Sequence, residues 1–233
     1  MIFSNTLKRV FFIIFITQRF LYCQELPPII KYSQNDYLAG IQNWMISQDS
    51  NHYLFFANNE GLLEFNGSNW TLYPTPNQTI MRSVKVVGNK IYTGCYMEFG
   101  YWKREKDGLL KYYSLSNKIK NKLIDDEQFW NIIEYEQWVV FQSLNRIYIY
   151  NTLNSDFKII TPKNGVLKSF KTNNSLYFQS ENVGLFEIER GNAKLLSDNE
   201  IVKNNRIVNV FETNNGLLIQ TQSNGFYKFS EKK

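Results

Sequence analysis

Apolar residues in this chain fall in runs of about three to five, broken at short intervals by turns rich in Asn, Ser and Gly. The clearest stretch is Leu54–Trp70, LFFANNEGLLEFNGSNW. Around it, Trp44-Met45-Ile46 starts one strand and Asp49-Ser50-Asn51 makes a turn. Tyr53–Ala57 is a second strand, Asn58–Gly61 a tight turn and Leu62–Phe65 a third strand. After Asn66-Gly67, Trp70–Tyr73 makes a fourth. Runs this short have strand length. Asn-Gly between apolar runs is a strong hairpin signal, because both residues tolerate the positive φ that tight hairpin turns require.

Weaker copies of this unit follow. The second takes Ser83–Val87, Ile91–Cys95, Phe99–Trp102 and Leu109–Tyr113; the third starts at Phe129-Trp130 and continues through Trp138–Phe141, Arg146–Tyr150 and Phe157–Ile160. The fourth takes Val166–Phe170, Leu176–Phe178, Gly184–Ile188 and Ala193–Leu196, and the fifth Ile207–Phe211, Leu217–Thr221 and Gly225–Phe229. The position before the third strand recurs at Gly61, Gly100, Arg146, Gly184 and Gly225, with spacings of 39, 46, 38 and 41 residues. Second strands also end alike, in Phe141-Gln142-Ser143, Phe178-Gln179-Ser180 and Ile219-Gln220-Thr221. A period near 40 with four short strands per period predicts an all-β protein, a β-propeller of four-stranded antiparallel blades. A β-sandwich also has many short strands, but no such repeat is expected of it. About five blades are present, and the fifth lacks a fourth strand. Either Ile29–Tyr37 supplies it from the other end of the chain, or the ring is incomplete and these are the N-terminal blades of something longer. The second is the expectation.

Composition refines the picture. Among 233 residues, 16% are aromatic, which suits pleated, half-buried strands. Lys8-Arg9 followed by the apolar Val10–Ile16 reads as an export signal, too short to span a bilayer, so residues 1–23 are expected to be a signal peptide and 24–233 the propeller. Lipidation at Cys23 is the rival reading, and Phe20-Leu21-Tyr22 lacks the small residues that would favour it. The net charge is +5; without Lys8, Arg9 and Arg19, 23 basic residues face 21 acidic ones. The remaining charges are dispersed, which argues against a nucleic-acid footprint here. Cys95 is then the only cysteine left and His52 the only histidine, which removes zinc clusters and two-histidine metal motifs. No Gly-rich phosphate loop, nucleophile elbow or calcium loop is found, and no cofactor or metal is expected.

The units resemble two-component-regulator propeller repeats, with Ile46, Asp49, Leu54, Gly61, Leu62 and Phe65 on that pattern and His52, Phe55 and Ala57 departing from it. The last unit keeps Gly216, Leu218, Gly225 and Phe229. The stretches NNEGLLEFNG, IMRSV, YTGCYMEFGYW, DEQFWNI and FQSLNRIYIYN are similar to the periplasmic sensor region of the LuxR-type transcriptional regulators of Bacteroidetes and flavobacteria, over residues 25–233. That resemblance implies a periplasmic sensor, membrane-anchored in its full-length form and binding a small-molecule or oligosaccharide ligand. It also implies further blades, a triple-tyrosine domain, one membrane helix and a cytoplasmic helix-turn-helix downstream. Homodimerisation, DNA contact and membrane attachment are implied through those downstream regions. The alternatives are a secreted propeller glycoside hydrolase or lyase, and a fragment without function of its own.

In a propeller, turns between second and third strands and links between blades open on one face. The turns bring Asn58, Glu60, Glu98, Ser143, Asn145, Arg146, Glu181, Asn182 and Asn224 there; the links bring Arg82, Asp126, Glu127, Trp130 and Arg206. Of these, Arg82, Glu98, Trp130, Arg146, Glu181 and Arg206 are the candidate ligand-binding residues, since charged groups bind hydroxyls and an aromatic ring stacks on a sugar face. Gln142, Gln179 and Gln220 are expected instead to brace neighbouring blades, because a buried amide must be hydrogen-bonded. The run Asp125-Asp126-Glu127 allows paired catalytic acids but reads more simply as a turn. No catalytic residue is assigned, and the chain is expected not to be an enzyme. His52 is expected in a turn on the opposite rim.

Overall fold

The structure, a computed structural model, describes residues 27–230. The expected signal peptide, with Cys23, lies outside the described residues. Residues 27–33 have no regular structure, and the compact unit described below starts at Gln34. It opens on a one-turn helix α1 (Gln34–Tyr37). The first sheet follows: β1 (Asn43–Gln48), β2 (Leu54–Asn58), β3 (Gly61–Phe65) and β4 (Trp70–Pro74). The second holds β5 (Ser83–Val87), β6 (Lys90–Gly94), β7 (Phe99–Arg104) and β8 (Leu110–Ser114). The third holds β9 (Asn131–Tyr135), β10 (Trp138–Gln142), β11 (Ile147–Asn151) and β12 (Phe157–Ile160). The fourth holds β13 (Lys168–Lys171), β14 (Leu176–Ser180), β15 (Gly184–Glu189) and β16 (Asn192–Ser197). After a short helix α2 (Glu200–Asn204), the fifth has β17 (Ile207–Thr213), β18 (Gly216–Thr221) and β19 (Gly225–Phe229).

Every sheet is an antiparallel meander with strands in chain order. The first strands of successive sheets lie beside one another, β1 by β5, β5 by β9, β9 by β13 and β13 by β17, so they form the inner edge of a propeller arc. The sheets do not close into a ring. Ile29–Tyr37 does not complete the fifth sheet: residues 29–33 are irregular, Gln34–Tyr37 is helical, and that sheet has three strands. The expected incomplete ring is what the described residues show.

The core is a set of slabs between sheets rather than one centre. Phe55, Leu62, Val84 and Trp102 pack between the first two sheets, and Tyr92, Phe99, Phe129, Phe141 and Tyr148 between the second and third. Val140, Ile149 and Phe178 fill the next slab, and Tyr177, Leu185, Val210 and Ile219 the last. Each fully buried side chain of this size contributes about 1.5–3 kcal/mol. A central strand with a slab on either face has no polar face to show. Hence β10 (WVVFQ), β11 (IYIYN) and β14 (LYFQS) are near-continuous apolar runs. In the fifth sheet β18 alternates instead, with Leu217, Ile219 and Thr221 buried between less buried neighbours.

The strands match the sequence reading to within a few residues, except at the third unit. There Phe129 and Trp130 precede the first strand, and Phe129 is fully buried in the slab between the second and third sheets. An ion pair also crosses between sheets, Arg104 Nη2 to Glu64 Oε1 at 2.7 Å.

Candidate functional site

The strand register decides which turns share a rim. Asn43 lies opposite Asn58, Ser83 opposite Gly94, Asn131 opposite Gln142, Lys168 opposite Gln179 and Ile207 opposite Thr221. The entry to each first strand therefore sits beside the turn between second and third strands, as the repeat pattern predicted. The entries are tied to these turns by backbone hydrogen bonds: Arg82 N–H to Gly94 O, Trp130 N–H to Gln142 O and Leu167 N–H to Gln179 O, all at 2.8–2.9 Å. His52, at φ 65°, is exposed in the turn joining β1 to β2, on the other rim.

At the inner end of this rim, three sheets contribute one cluster. The Arg82 guanidinium carbon lies 4.3 Å from the Trp44 ring centroid and 4.6 Å from that of Trp130. The two indoles meet edge to face, 5.8 Å apart at 82°. Arg82 thus sits in the corner between two perpendicular rings, where a weakly hydrated guanidinium is attracted to both faces. Its Nε donates to Gln128 Oε1 at 3.3 Å, while its two terminal nitrogens make no hydrogen bond or ion pair among the described residues. Trp44 is 40% exposed and its Nε1 donates to Asn59 Oδ1 at 2.8 Å. Trp130 Nε1 is buried without a protein acceptor.

The surroundings hold this cluster in place. Asn58 is fully buried and clamps the segment before β1: its amide donates to Gly40 O and Asn43 Oδ1, and its Oδ1 accepts from Gly40 N–H. Gly94 leaves room for the link carrying Phe129 and Trp130. A Cβ there would meet Phe129 Cβ and Ser83 Oγ at 2.6 Å and the Phe129 carbonyl at 3.0 Å. Ser83 Oγ donates to that same carbonyl at 2.8 Å.

The six predicted site residues divide. Arg82 and Trp130 are brought together. Glu98 is engaged within its own sheet, its Oε1 accepting from Tyr112 Oη and Ser114 Oγ at 2.8 Å each. Burial, and then the Glu98 carboxylate, push the Tyr112 hydroxyl far above its ordinary range. Arg146 donates from Nη1 to Lys122 O at 2.8 Å, and its Nε is buried without a protein acceptor. Glu181 and Arg206 are exposed, each well along the arc. Arg206 lies close enough to Lys168 to help lower its pKa, after the larger effect of burial. Lys168 Nζ reaches Val208 O at 2.7 Å, so the entries to the fourth and fifth sheets are also cationic.

Two other rim residues read as turn polars are buried instead. Glu127 accepts from Ser143 Oγ at 2.8 Å and from Tyr148 Oη, and Ser143 also accepts the backbone N–H groups of Asn145 and Arg146. This carboxylate therefore staples the link to the third sheet. Trp44 is the member of this cluster that sequence reading misses. It looked like an ordinary strand aromatic, and only its exposure beside two charged or aromatic entries distinguishes it. The brace glutamines act as expected where a next sheet is present. Gln142 Oε1 accepts from Ser169 N–H at 2.9 Å and Gln179 Oε1 from Ile207 N–H at 2.8 Å. Gln179 Nε2 also donates to Val202 O and Asn205 O.

Fold and rim together define a β-propeller arc in which the half-buried Arg82, at the entry to the second sheet, lies between the aromatic rings of Trp44 and Trp130. No protein-family model and no curated protein sequence matches the chain. Among solved structures, it is similar to the extracellular domains of two hybrid two-component systems of B. thetaiotaomicron. One is 16% identical with a TM-score of 0.60 over 88% of this chain and 28% of that chain; the other is 14% identical with a TM-score of 0.59 over 90% and 29%. The WD40 propeller domain of Doa1 is 13% identical with a TM-score of 0.54, over 81% of this chain and 63% of that one. The chain thus spans under a third of the length of the two bacterial neighbours.

Proposed function

We propose that this chain is the ligand-sensing propeller of an exported, membrane-anchored regulator, and that its inner rim receives an oligosaccharide. The observation that carries this reading is the convergence of Trp44, Arg82 and Trp130 from three successive sheets into one cluster, with Trp44 exposed and the other two half-buried. Support also comes from the likeness to extracellular domains of two-component systems. Periplasmic location, LuxR-type output through a helix-turn-helix, a triple-tyrosine domain and homodimerisation rest on the resembling sequence stretches. In this reading they belong to regions downstream of the five sheets.

The hydrolase alternative needs two carboxylates about 5–9.5 Å apart and facing a substrate. Glu127 is buried and bonded to hydroxyls, and Glu98 is held by Tyr112 and Ser114, which makes both poor acids for that role. The test is calorimetry of the purified chain against neutral and acidic oligosaccharides, with product analysis in parallel. Saturable binding without turnover is expected. Product release abolished by Glu98→Gln or Asp126→Asn would replace the sensor with the hydrolase.

A further inference from the structure

We infer that the ligand group read at the inner rim is a carboxylate, so that the recognised oligosaccharide is acidic, built with uronate sugars. The inference rests on the sensor reading above and narrows it.

The argument starts from what Arg82 lacks. A guanidinium carries five N–H donors in a planar fork. Here one donor goes to Gln128 and the terminal nitrogens have no partner among the described residues, although the group is half-buried. The carboxylates of the same rim do not neutralise it: Glu60, Asp125, Asp126 and Glu181 lie in turns and links, and none forms an ion pair with it. Glu98 and Glu127 are committed to hydroxyl donors. Arg104, by contrast, has its fork engaged by Glu64 and the Gly108 carbonyl.

What remains is a fork with Trp44 and Trp130 both packed within 5 Å of the guanidinium carbon, which leaves less side-chain freedom to lose on binding. Paired N–H donors match a carboxylate bidentately. Next to the guanidinium, Trp44 is partly exposed, and an exposed indole is the kind of apolar surface that receives a sugar ring. A pyranose bearing its carboxylate at the ring edge satisfies both at once. A neutral sugar would stack on Trp44 and leave the fork unfilled. Further along the arc, Lys168 and Arg206 continue the cationic entries without an ion pair among the described residues, which suits a chain of repeating negative charge.

The test uses short oligomers of galacturonate, glucuronate, and mannuronate or guluronate, each beside the same oligomer with its carboxyls reduced to alcohols. Binding to the purified chain is measured by calorimetry at low and moderate salt. The expected result is that at least one acidic oligomer binds and its reduced counterpart binds roughly 10- to 100-fold more weakly, the loss expected for a charged bidentate contact. Arg82→Gln should lose the same factor and Arg82→Lys part of it, while Trp44→Ala weakens binding of that oligomer. Melting temperatures show whether each variant is folded. Equal affinity for acidic and reduced oligomers, or full acidic binding by folded Arg82→Gln, overturns the carboxylate inference and leaves the sensor reading standing. Absence of binding to every oligosaccharide, acidic and neutral, overturns both.

Discussion

The third and fifth sheets are built from the same repeat and behave differently. In the third, β10 and β11 have a neighbouring sheet on each face, and Val139, Val140, Phe141, Ile147 and Tyr148 are all fully buried. In the fifth, one face lies against the fourth sheet, while Phe226 is 59% exposed and Phe211 is 42% exposed. The same holds for the glutamine at the end of each second strand. Gln142 and Gln179 each receive a backbone N–H from the next first strand, whereas the Gln220 side chain makes no hydrogen bond among the described residues. A repeat therefore specifies the element, and its neighbours specify what each position is worth.

Truncation in the doubly covered sheet should give the largest effect. Phe141→Ala empties the centre of an aromatic slab, where Phe141 lies 4.4 Å from Phe99 between ring centroids. It should cost about 3–5 kcal/mol, read from urea unfolding. Phe226→Ser in the fifth sheet is the matched control and should stay within about 0.5 kcal/mol. Equal losses at the two positions would mean that the fifth sheet is covered in solution.

Gln179→Ala comes next. It strands the Ile207 N–H and the Val202 and Asn205 carbonyls, at an expected cost of about 1–3 kcal/mol if water does not replace the amide. Gln220→Ala should be neutral within about 0.5 kcal/mol. A Gln220 variant as damaging as the Gln179 one would erase the distinction drawn between bridging and idle glutamines.

A smaller effect separates covered from open sites by pH. Cys95 is buried, and burial, helped by the nearby Glu98, pushes its thiol from an ordinary 9.0 up to about 12. The unfolded thiol ionises first, so this stabilisation is complete below pH 9 and is lost progressively as pH rises from there towards 12. Native protein at pH 8 should resist iodoacetamide, with Cys95 alkylated only after denaturation. Rapid native labelling would show that the slab between the first two sheets opens readily.

Much of the fold was readable in advance because a propeller blade is a local object. Its hairpins are set by turns such as Asn66-Gly67, and the period near 40 comes from repeating one unit. The site was less readable. Arg82 and Trp130 were identifiable as link residues, but Arg146 and Glu98 were equally identifiable as turn residues of the same rim, and only contacts showed that Glu98 is held by Tyr112 and Ser114 and that Arg146 reaches Lys122. Glu127 looked like part of an exposed acidic turn. Its burial depends on Ser143 and Tyr148, 16 and 21 residues further along the chain, which donate to its carboxylate.

By itself, then, the sequence determined the strands, their antiparallel order, the shared rim of turns and entries, and the expectation that the ring stays open. These follow from turn chemistry and hydrophobic runs acting over a few residues. The tertiary structure decided which sheet faces are covered and which glutamines bridge. It also decided that Trp44, 38 residues before Arg82 and in another sheet, completes the corner in which that arginine sits. Such contacts depend on how sheets are placed side by side, and no local pattern encodes that placement.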